Sequence, residues 1–390
     1  MFKWMQSGTL STGLAMFSML FGAGNVVFPL AIGQYAQDAN VWAILGLLIS
    51  AVLVPFLGVT TMTLYKGDYM AFFGRIGPSV GFIVAVLIMG LIGPLGATPR
   101  CITLAYSTLQ LFFPDLSFFL YSGIAFVLIL GLTYSQQRLL EILGYVLTPF
   151  LLVSLAIVII KGLLSGPPAP VSNHSALFVF MAGLMEGFYT MDLLGAFFFS
   201  TVVLVCLEQE LQPHELSDKR RLISMTLKAS CIGAVLLAVI YIGFSIVAAL
   251  YSDSLAAVPK DVLLGSIAMN VLGAGGGVVA LTAVVLACLT TAIALVAVFA
   301  QFLQTHVFRE RLGYHPCLWL TLIATFCVST LRFNGIAKIL EPILMITYPA
   351  LIILTLCNLA YQLWGFKPVK TPFWVTLGAS FIYWATSVSL

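Results

Sequence analysis

Charged residues are scarce in this sequence. Only 8% of its 390 residues are Asp, Glu, Lys or Arg, whereas 61% are hydrophobic, and the mean hydropathy is +1.10. A soluble globular domain carries about 25% charged residues because its surface faces water, so the composition excludes an ordinary soluble protein. The apolar runs are about 20 residues long and do not alternate with polar residues, so they predict an all-α polytopic membrane protein rather than a membrane barrel.

Clusters of metal-binding or nucleophilic residues are also missing. The four histidines lie in predicted loops or at helix ends, and the seven cysteines are scattered without the spacing of a metal site. An enzyme would need a nucleophile–base pair or a metal cluster, so we expect no enzyme, no transition metal and no cofactor. The net charge of +3 does not indicate a nucleic-acid partner. The apolar segment after Lys3 is too long for a cleavable signal peptide and has no small-residue cleavage site.

Eleven apolar segments are predicted to cross the membrane within a single domain, residues 1–390. The third and eighth are longer than a perpendicular crossing needs, so we expect them to be tilted. Residues 255–272 are apolar but interrupted by Pro259, Lys260 and Asp261, and we expect a short loop helix at the surface there. The predicted spans are residues 8–35, 40–65, 79–113, 117–135, 139–164, 175–206, 222–251, 276–307, 315–332, 336–364 and 372–389.

The Lys and Arg residues indicate the orientation of the chain. With a cytoplasmic N-terminus, twelve of the 17 Lys and Arg residues fall on the cytoplasmic side and four on the outer side, while Arg100 lies inside the third span. Cytoplasmic loops of membrane proteins carry an excess of these residues. The N-terminus is therefore predicted to be cytoplasmic. Nothing in the sequence predicts an oligomeric state.

The first predicted span contains residues that interrupt a helix. Gly22, Gly24, Asn25 and Pro29 occur within nine residues, although Gly costs about 1 kcal/mol in a helix interior and Pro about 3. In hydrocarbon every freed backbone group needs a partner inside the protein. Such a break is tolerated where it lines a cavity, because its carbonyls can bind a cation and the next helix N-terminus can bind an anion. A kink without a ligand, or a glycine patch for close packing, is the alternative.

The sixth predicted span has a similar interruption between Glu186 and Asp192. A Pro-rich loop at residues 165–170 separates five spans from the next five, and because five is odd the two halves must have opposite orientations. Interrupted spans at corresponding positions of inverted halves point to the binding site of a secondary transporter. We therefore predict a five-plus-five inverted repeat, with helix 1 broken and unwound near residues 22–25 and helix 6 near residues 187–191. The repeats would be residues 8–164 and 175–364, followed by an extra helix at 372–389.

Three ionisable residues inside predicted spans are candidates for function. A charged side chain at the bilayer centre costs several kcal/mol unless it is paired or in contact with water. If residues 187–191 are unwound, Glu186 and Asp192 can both face a central cavity and bind a substrate ammonium group, bind a cation or carry a proton. The structural alternative is a fixed ion pair, for example with Arg100. Arg100 itself could balance a carboxylate or lie at the cavity wall.

The eighth predicted span carries two adjacent hydroxyl groups, on Thr290 and Thr291. A threonine in an apolar helix usually hydrogen-bonds to its own preceding turn. Hydroxyls and backbone carbonyls are also the hard oxygen ligands expected around sodium. The broken first helix could supply those carbonyls, and this strengthens the second interpretation.

Taken together, these motifs resemble one family. They are Phe21-Gly22-Ala23-Gly24-Asn25 with Phe28-Pro29, Gly93-Pro94-Leu95 with Pro99-Arg100, Gly187-Phe188-Tyr189-Thr190-Met191-Asp192, and Leu289-Thr290-Thr291-Ala292-Ile293. In this order, and over nearly the whole chain, the sequence resembles the bacterial branched-chain amino acid:cation symporter family. That family is usually drawn with one span more than is predicted here. It is in turn similar to the sodium-coupled amino acid transporters with the leucine-transporter-type inverted repeat.

The resemblance implies a role for each candidate residue. The substrate carboxylate would meet the N–H groups of Ala23 and Gly24, beside Asn25. Sodium would be bound by the backbone carbonyls of Ser18, Phe21 and Ala287 and by the hydroxyls of Thr290 and Thr291. The substrate side chain would lie in a pocket of Leu95, Phe188, Tyr189 and Leu295. Asp192 stands where better-known members of the wider group have a smaller polar residue, so the resemblance does not assign its role.

The resemblance thus implies cation-coupled import of Leu, Ile and Val by alternating access across a bacterial cytoplasmic membrane. The coupling ion would be Na⁺ or H⁺, and the expected partners are the amino acid and membrane lipid. A carrier of the same fold for another solute, such as a different amino acid, a polyamine or a nucleobase, is the main alternative. A channel would not need two helix breaks.

Overall fold

Helices make up all the regular structure that the computed structural model describes, namely residues 8–134, 148–208 and 219–388. Within these ranges no strand is present. This agrees with the all-α prediction from apolar runs. The start of the fifth predicted span, residues 139–147, and the end of the fourth, residue 135, lie outside the described residues.

The helices before the Pro-rich loop are named α1 to α9 in chain order. A π-helical turn, Ile49–Leu53, joins α3 to α4, so the second predicted span is one continuous rod. The bounds are α1 (Gly8–Leu20), α2 (Ala23–Ala36), α3 (Asn40–Leu48), α4 (Val54–Leu64), α5 (Tyr69–Gly74), α6 (Pro78–Ile92), α7 (Ala97–Gln110), α8 (Phe118–Thr133) and α9 (Thr148–Ser165).

The helices after the loop are α10 to α17. A short 3₁₀ turn, Lys260–Val262, precedes α14, and a π-helical turn, Leu303–Val307, follows it. The bounds are α10 (Ala176–Tyr189), α11 (Asp192–Glu208), α12 (Lys219–Leu250), α13 (Ser252–Leu255), α14 (Leu263–Phe302), α15 (Tyr314–Ser329), α16 (Arg332–Trp364) and α17 (Lys370–Val388).

Several of these segments are suited to a membrane. Among the described residues, six segments are long and apolar enough to span one, and three shorter apolar helices accompany them. The six segments are Ala23–Leu64, Pro78–Gln110, Ala176–Thr201, Ile223–Leu250, Gly275–Val307 and Arg332–Trp364. The polytopic architecture follows from them, while the number of eleven spans stays a prediction. The division into two repeats at residues 8–164 and 175–364 also stays a prediction.

Both predicted helix breaks are present but shorter than expected. The first is confined to residues 21–22, with Gly22 extended at φ −127°, and the second to residues 190–191, with Met191 at φ 66°. A left-handed conformation costs a non-glycine residue roughly 1–2 kcal/mol, and it persists where the surrounding structure fixes it. Residues 23–25 and 187–189, which we predicted to be unwound, are helical.

Gly187 has a different function from the predicted one. A Cβ atom at this position would overlap with the Ser50 hydroxyl oxygen across the contact with the second predicted span. The glycine therefore permits close packing of two helices and does not unwind its own helix. Small residues at membrane helix contacts commonly serve this purpose.

The third predicted span is not a single tilted rod, whereas the eighth, residues 276–307, is continuous. The third is interrupted at residues 93–96, between α6 and α7, where Pro94 lacks the N–H that a continuous helix needs. The eighth lies in the unbroken segment Gly275–Val307, which follows a kink of α14 at Gly273, where φ is 69° and ψ −178°. The expected loop helix is the part of α14 before this kink. Its Leu263, Ile267 and Ala268 side chains are fully buried, so it packs into the protein rather than lying only at the surface.

Glycines set the closest approach between α3 and α10. A Cβ atom on Gly183 of α10 would overlap with the Ala43 carbonyl oxygen of α3, and one on Gly46 of α3 would overlap with the Phe180 carbonyl oxygen. Backbones in membrane bundles approach this closely only where side chains are absent. This contact positions the end of α10 at the second break.

Gly183→Ala should destabilise the protein by about 1–3 kcal/mol, because the added methyl group forces α3 and α10 apart. Gly123→Ala is the matched control. Gly123 lies in α8, and an added Cβ would meet nothing within 4 Å, so this change should be neutral or stabilise by up to about 1 kcal/mol through helix propensity. Thermal unfolding of the purified proteins in detergent measures both. Equal unfolding temperatures for Gly183→Ala and wild type would contradict the packing described here.

Candidate functional site

The two helix breaks meet at a cavity of about 440 Å³, counting the space at its mouth. Residues from the first break and the start of α2, from the second break and the start of α11, and from α7 and α14 form its wall. The backbone of Gly22, Ala23 and Gly24 forms part of this wall, and its polar side chains are those of Asn25, Arg100, Cys101, Thr190, Asp192 and Thr291. The apolar part consists of Met19, Leu20, Ile92, Ala97, Met191, Gly195, Phe199 and Leu295.

Asp192 connects three elements at this cavity. Its carboxylate is 3% exposed and stands at the first residue of α11, where the helix N-terminus favours a negative charge. Asn25 Nδ2 donates to both carboxylate oxygens, at 2.9 Å and 2.8 Å, and the Tyr241 hydroxyl of α12 donates to Oδ2 at 3.0 Å. Asn25 Nδ2 also contacts the Tyr241 hydroxyl. The carboxylate therefore holds α2, α11 and α12 together.

The side chain of Asn25 caps the helix that begins after the first break. Gly22 N–H donates to Asn25 Oδ1 at 2.8 Å, so Asn25 caps the start of α2 while its amide nitrogen reaches Asp192. On the other side of Asp192, the Leu193 N–H donates to the Tyr348 hydroxyl of α16 at 3.1 Å. These bonds satisfy backbone N–H groups that a helix N-terminus leaves free. The Ala23 and Gly24 backbone, predicted to meet a carboxylate, lies at the cavity wall.

Arg100 lies at the start of α7, against both breaks. Its side chain is 2% exposed, and Nη1 donates to the Tyr189 carbonyl at 2.9 Å and to Met191 Sδ at 3.3 Å. The guanidinium thus caps the C-terminus of α10, where the helix dipole favours a positive charge. Of the two roles that we considered for Arg100, the structure places it at the cavity wall. It forms no ion pair of 4 Å or less with an acidic residue in the described part of the chain.

Glu186 does not lie at the cavity. It pairs with Lys260 Nζ at 2.9 Å, on the 3₁₀ turn before α14. The expectation that Glu186 faces the cavity together with Asp192, or pairs with Arg100, is therefore wrong. Because α10 stays helical up to Tyr189, Glu186 lies a full turn before the break. Asp261, the next residue on the turn, accepts a hydrogen bond from the Ser107 hydroxyl of α7 at 2.6 Å, so the turn joins α10 to α7.

The predicted sodium ligands are partly brought together. Thr291 donates to the Phe21 carbonyl at 3.3 Å, across the contact between α14 and the first break. Thr290 donates instead to the Ala287 carbonyl at 2.8 Å, within its own helical turn. Ser18 lies on α1, one turn before Phe21. One hydroxyl of the pair therefore reaches the broken helix, and the other shows the bonding usual for a threonine in an apolar helix.

The predicted apolar pocket is largely replaced by other residues. Leu295 lines the cavity. Leu95 lies in the interruption between α6 and α7 and is 49% exposed, and Phe188 stacks on Tyr348 at 4.7 Å between ring centroids. The Tyr189 ring packs against Phe28 at 5.8 Å, and Tyr189 meets Arg100 through its carbonyl only. Leu95, Phe188 and the Tyr189 ring are therefore not part of the cavity wall. The directions of Phe188 and Tyr189 depend on where α10 ends, and the motif alone did not specify that end.

Tyr241 is a polar residue at this site that was not predicted from the sequence. It is fully buried on α12 and hydrogen-bonds to Asp192. Its position in an apolar span could have indicated it, because the hydroxyl of a tyrosine buried in such a helix needs a hydrogen-bond partner. An intramembrane carboxylate without an assigned partner was the obvious candidate.

Comparison with known proteins identifies the family. The model of the family described as branched-chain amino acid transport protein matches residues 5–387. The chain belongs to this family. It is 28% identical over 358 residues to the branched-chain amino acid permease BrnQ of Corynebacterium glutamicum, a match that covers 91% of this chain and 81% of the permease. The protein is therefore a membrane transporter and not an enzyme.

Solved structures confirm the predicted fold class. The crystal structure of MhsT in complex with L-phenylalanine has a TM-score of 0.67 at 15% identity, and the match covers 96% of this chain and 97% of MhsT. The inward-facing conformation of Mhp1 has a TM-score of 0.65 at 11% identity, and the match covers 96% of this chain and 89% of Mhp1. At such identities the likeness concerns the fold alone. This fold agrees with the inverted repeat predicted from the paired helix breaks, and it is of the leucine-transporter type that the family resemblance implies.

Asp192→Asn should weaken leucine binding at least about tenfold, because it removes the buried negative charge and turns an amide NH₂ toward the donating Asn25. Binding is measured on purified protein by leucine-dependent thermal stabilisation, and uptake in proteoliposomes. Tyr241→Phe is the control, since it removes one hydrogen bond and keeps the charge, and it should cost only about 1 kcal/mol.

Two other results for Asp192→Asn would change the assignment. Normal binding and exchange of leucine with loss of uphill uptake would make Asp192 the carrier of a coupled proton. Normal affinity together with normal concentrative uptake would contradict both functional roles and leave the carboxylate as a connector of helices.

Proposed function

We propose that the protein is a cation-coupled importer of Leu, Ile and Val in a bacterial cytoplasmic membrane. The observation that supports this most strongly is the cavity between two half-helix ends. It combines the N-terminus of α2, the Asp192 carboxylate and an apolar wall within one space. A zwitterion with an aliphatic side chain has the complementary groups: a carboxylate for a helix N-terminus, an ammonium group for a carboxylate, and an apolar chain for the rest.

The apolar wall explains the proposed selectivity. Leu20, Ile92, Phe199 and Leu295 offer contacts to an aliphatic side chain. A hydrophobic pocket discriminates one methylene group by only about 1–3 kcal/mol. Leu, Ile and Val should therefore compete with one another.

Sodium is the coupling ion that the geometry favours. The Phe21 carbonyl and the Thr291 hydroxyl, 3.3 Å apart, belong to the broken first helix and to α14. An ion bound between them would link these two elements while the substrate binds beside them at residues 22–25. Substrate and ion would then stabilise the same closed state, and symport requires this coupling of the two binding events. A proton carried by Asp192 is the second candidate, supported by the burial of that carboxylate.

The turn before α14 is proposed to close the outer side of the cavity. The Lys/Arg distribution predicts a cytoplasmic N-terminus, and with that orientation this turn lies on the outer side. The Lys260–Glu186 ion pair and the Ser107–Asp261 hydrogen bond hold the turn against α10 and α7. Breaking these contacts would open the outer path during alternating access.

Uptake of labelled leucine into proteoliposomes tests the proposal. A sodium gradient or a proton gradient is imposed separately, and unlabelled Ile, Val, a polyamine or a nucleobase is added as a competitor. We expect concentrative uptake driven by the sodium gradient, with competition by Ile and Val only. Uptake driven only by the proton gradient would indicate that the coupling ion is a proton carried by Asp192. No uptake under either gradient, or competition by the polyamine or nucleobase alone, would contradict the proposed function.

Thr291→Val tests the sodium site within the same assay. It keeps the size of the side chain but removes the oxygen that faces Phe21, so the sodium concentration for half-maximal uptake should rise at least about tenfold. Leucine affinity at saturating sodium should change little. Thr282→Val is the matched control, because the exposed Thr282 hydroxyl bonds only to Val278 of the same helix. Equal sodium dependence of Thr291→Val and wild type would refute the site.

A further inference from the structure

Arg100 has more hydrogen-bonding capacity than the protein uses. Its Nη1 donates to the Tyr189 carbonyl and Met191 Sδ, but its Nε and Nη2, both buried, have no hydrogen-bond partner among the described residues. A guanidinium group carries five donor N–H bonds in a fixed plane. Buried donors left unpaired are costly, and more so on a charged group. The unpaired part of Arg100 therefore requires an explanation.

The free side of Arg100 faces the start of α2. A Cβ atom added to Gly24 would lie 3.1 Å from Arg100 Nη2, and Gly24 and Arg100 both line the cavity. The first turn of a helix carries free N–H groups and a partial positive charge. Two positive groups thus meet at one place in the wall. They repel each other unless an anion lies between them.

The groups around Arg100 offset only part of its charge. The α10 C-terminus accepts from Nη1, and the Phe28 and Phe333 rings lie 4.8 Å and 5.5 Å from the guanidinium carbon. Asp192, the other charged group in the cavity wall, is bonded to Asn25 and Tyr241 and is not within ion-pair distance of Arg100. The cavity therefore holds one cation and one carboxylate that do not neutralise each other directly.

We propose that Arg100 binds the carboxylate of the transported amino acid through Nη2 and Nε, beside the Gly24 backbone. This inference rests on the proposed function, since it takes the substrate to be a zwitterion. Arg100 and the N-terminus of α2 receive the carboxylate, and Asp192 receives the ammonium group. The site thereby selects for a free α-carboxylate, which an amine or an amide of the same side chain lacks.

A purely structural role for Arg100 makes a different prediction. Capping the α10 C-terminus needs only the N–H that reaches Tyr189, and losing that cap would weaken the binding of every ligand by a similar factor. Loss of the group that binds the substrate carboxylate would weaken the binding of leucine but not that of leucinamide. The ratio of the affinities for leucine and leucinamide separates the two roles, because leucinamide keeps the side chain and ammonium group but has no negative charge.

The test compares wild type, Arg100→Gln and Arg100→Lys in competition binding with leucine and leucinamide. Wild type should prefer leucine by about 10- to 100-fold, and Arg100→Gln should lose most of that preference by losing leucine affinity. Arg100→Lys keeps the charge without the planar fork, and it should keep part of the preference. If Arg100→Gln does not give a monodisperse protein, the ratio of the leucine and leucinamide affinities of Arg100→Lys decides between the two roles. A monodisperse profile and a cooperative unfolding transition without ligand establish folding.

Arg75→Gln is the matched control. Arg75 also donates to carbonyl groups, including Asn358 Oδ1 at 2.9 Å and the Lys367 carbonyl at 2.9 Å, but it is not in the cavity wall. Its substitution should leave the leucine-to-leucinamide ratio unchanged. If Arg100→Gln keeps the wild-type ratio of leucine to leucinamide affinity, even with both affinities lowered, the inference is overturned. Equal affinities of the wild-type protein for leucine and leucinamide would also overturn it. Wild type that neither binds nor transports leucine would instead contradict the proposed function.

Discussion

Two helix breaks lie in the middle of the bundle, and the hydrogen bonds between Asn25 and Asp192 hold together the helices that begin after them. Each interruption exposes backbone groups where lipid offers no partner. Asn25 caps the start of α2 with its oxygen and reaches Asp192 with its nitrogen, and Asp192 is itself the first residue of α11. One amide and one carboxylate thus connect both breaks, and Tyr241 ties the pair to α12. The shape of the cavity depends on this contact.

The same arrangement explains how binding can be coupled to movement. The cavity wall draws residues from both predicted halves of the chain, α2 and α7 from the first and α11 and α14 from the second. A ligand that contacts all of them stabilises the state in which they are close together. An ion between Phe21 and Thr291 would stabilise the same state, so each would raise the affinity for the other.

Features encoded locally were predictable from the sequence, and contacts between distant residues were not. Gly22, Asn25 and Pro29 break a helix by their own chemistry, so the position of the first break could be read directly. The second break lies at the end of the predicted stretch, because Gly187 serves packing against Ser50 and not unwinding. That shift of a few residues turns Phe188 and Tyr189 away from the cavity. The Glu186–Lys260 pair joins residues 74 apart, and no pattern in the sequence specifies such a pairing.

A structure of the protein determined with bound leucine tests the central claim most directly. We expect the ligand between the two breaks, with its carboxylate at hydrogen-bond distance, about 2.7–3.2 Å, from Arg100 and the Gly24 region. The ammonium group should face Asp192. Leucine bound outside this cavity, or bound with its carboxylate directed away from Arg100, would contradict it.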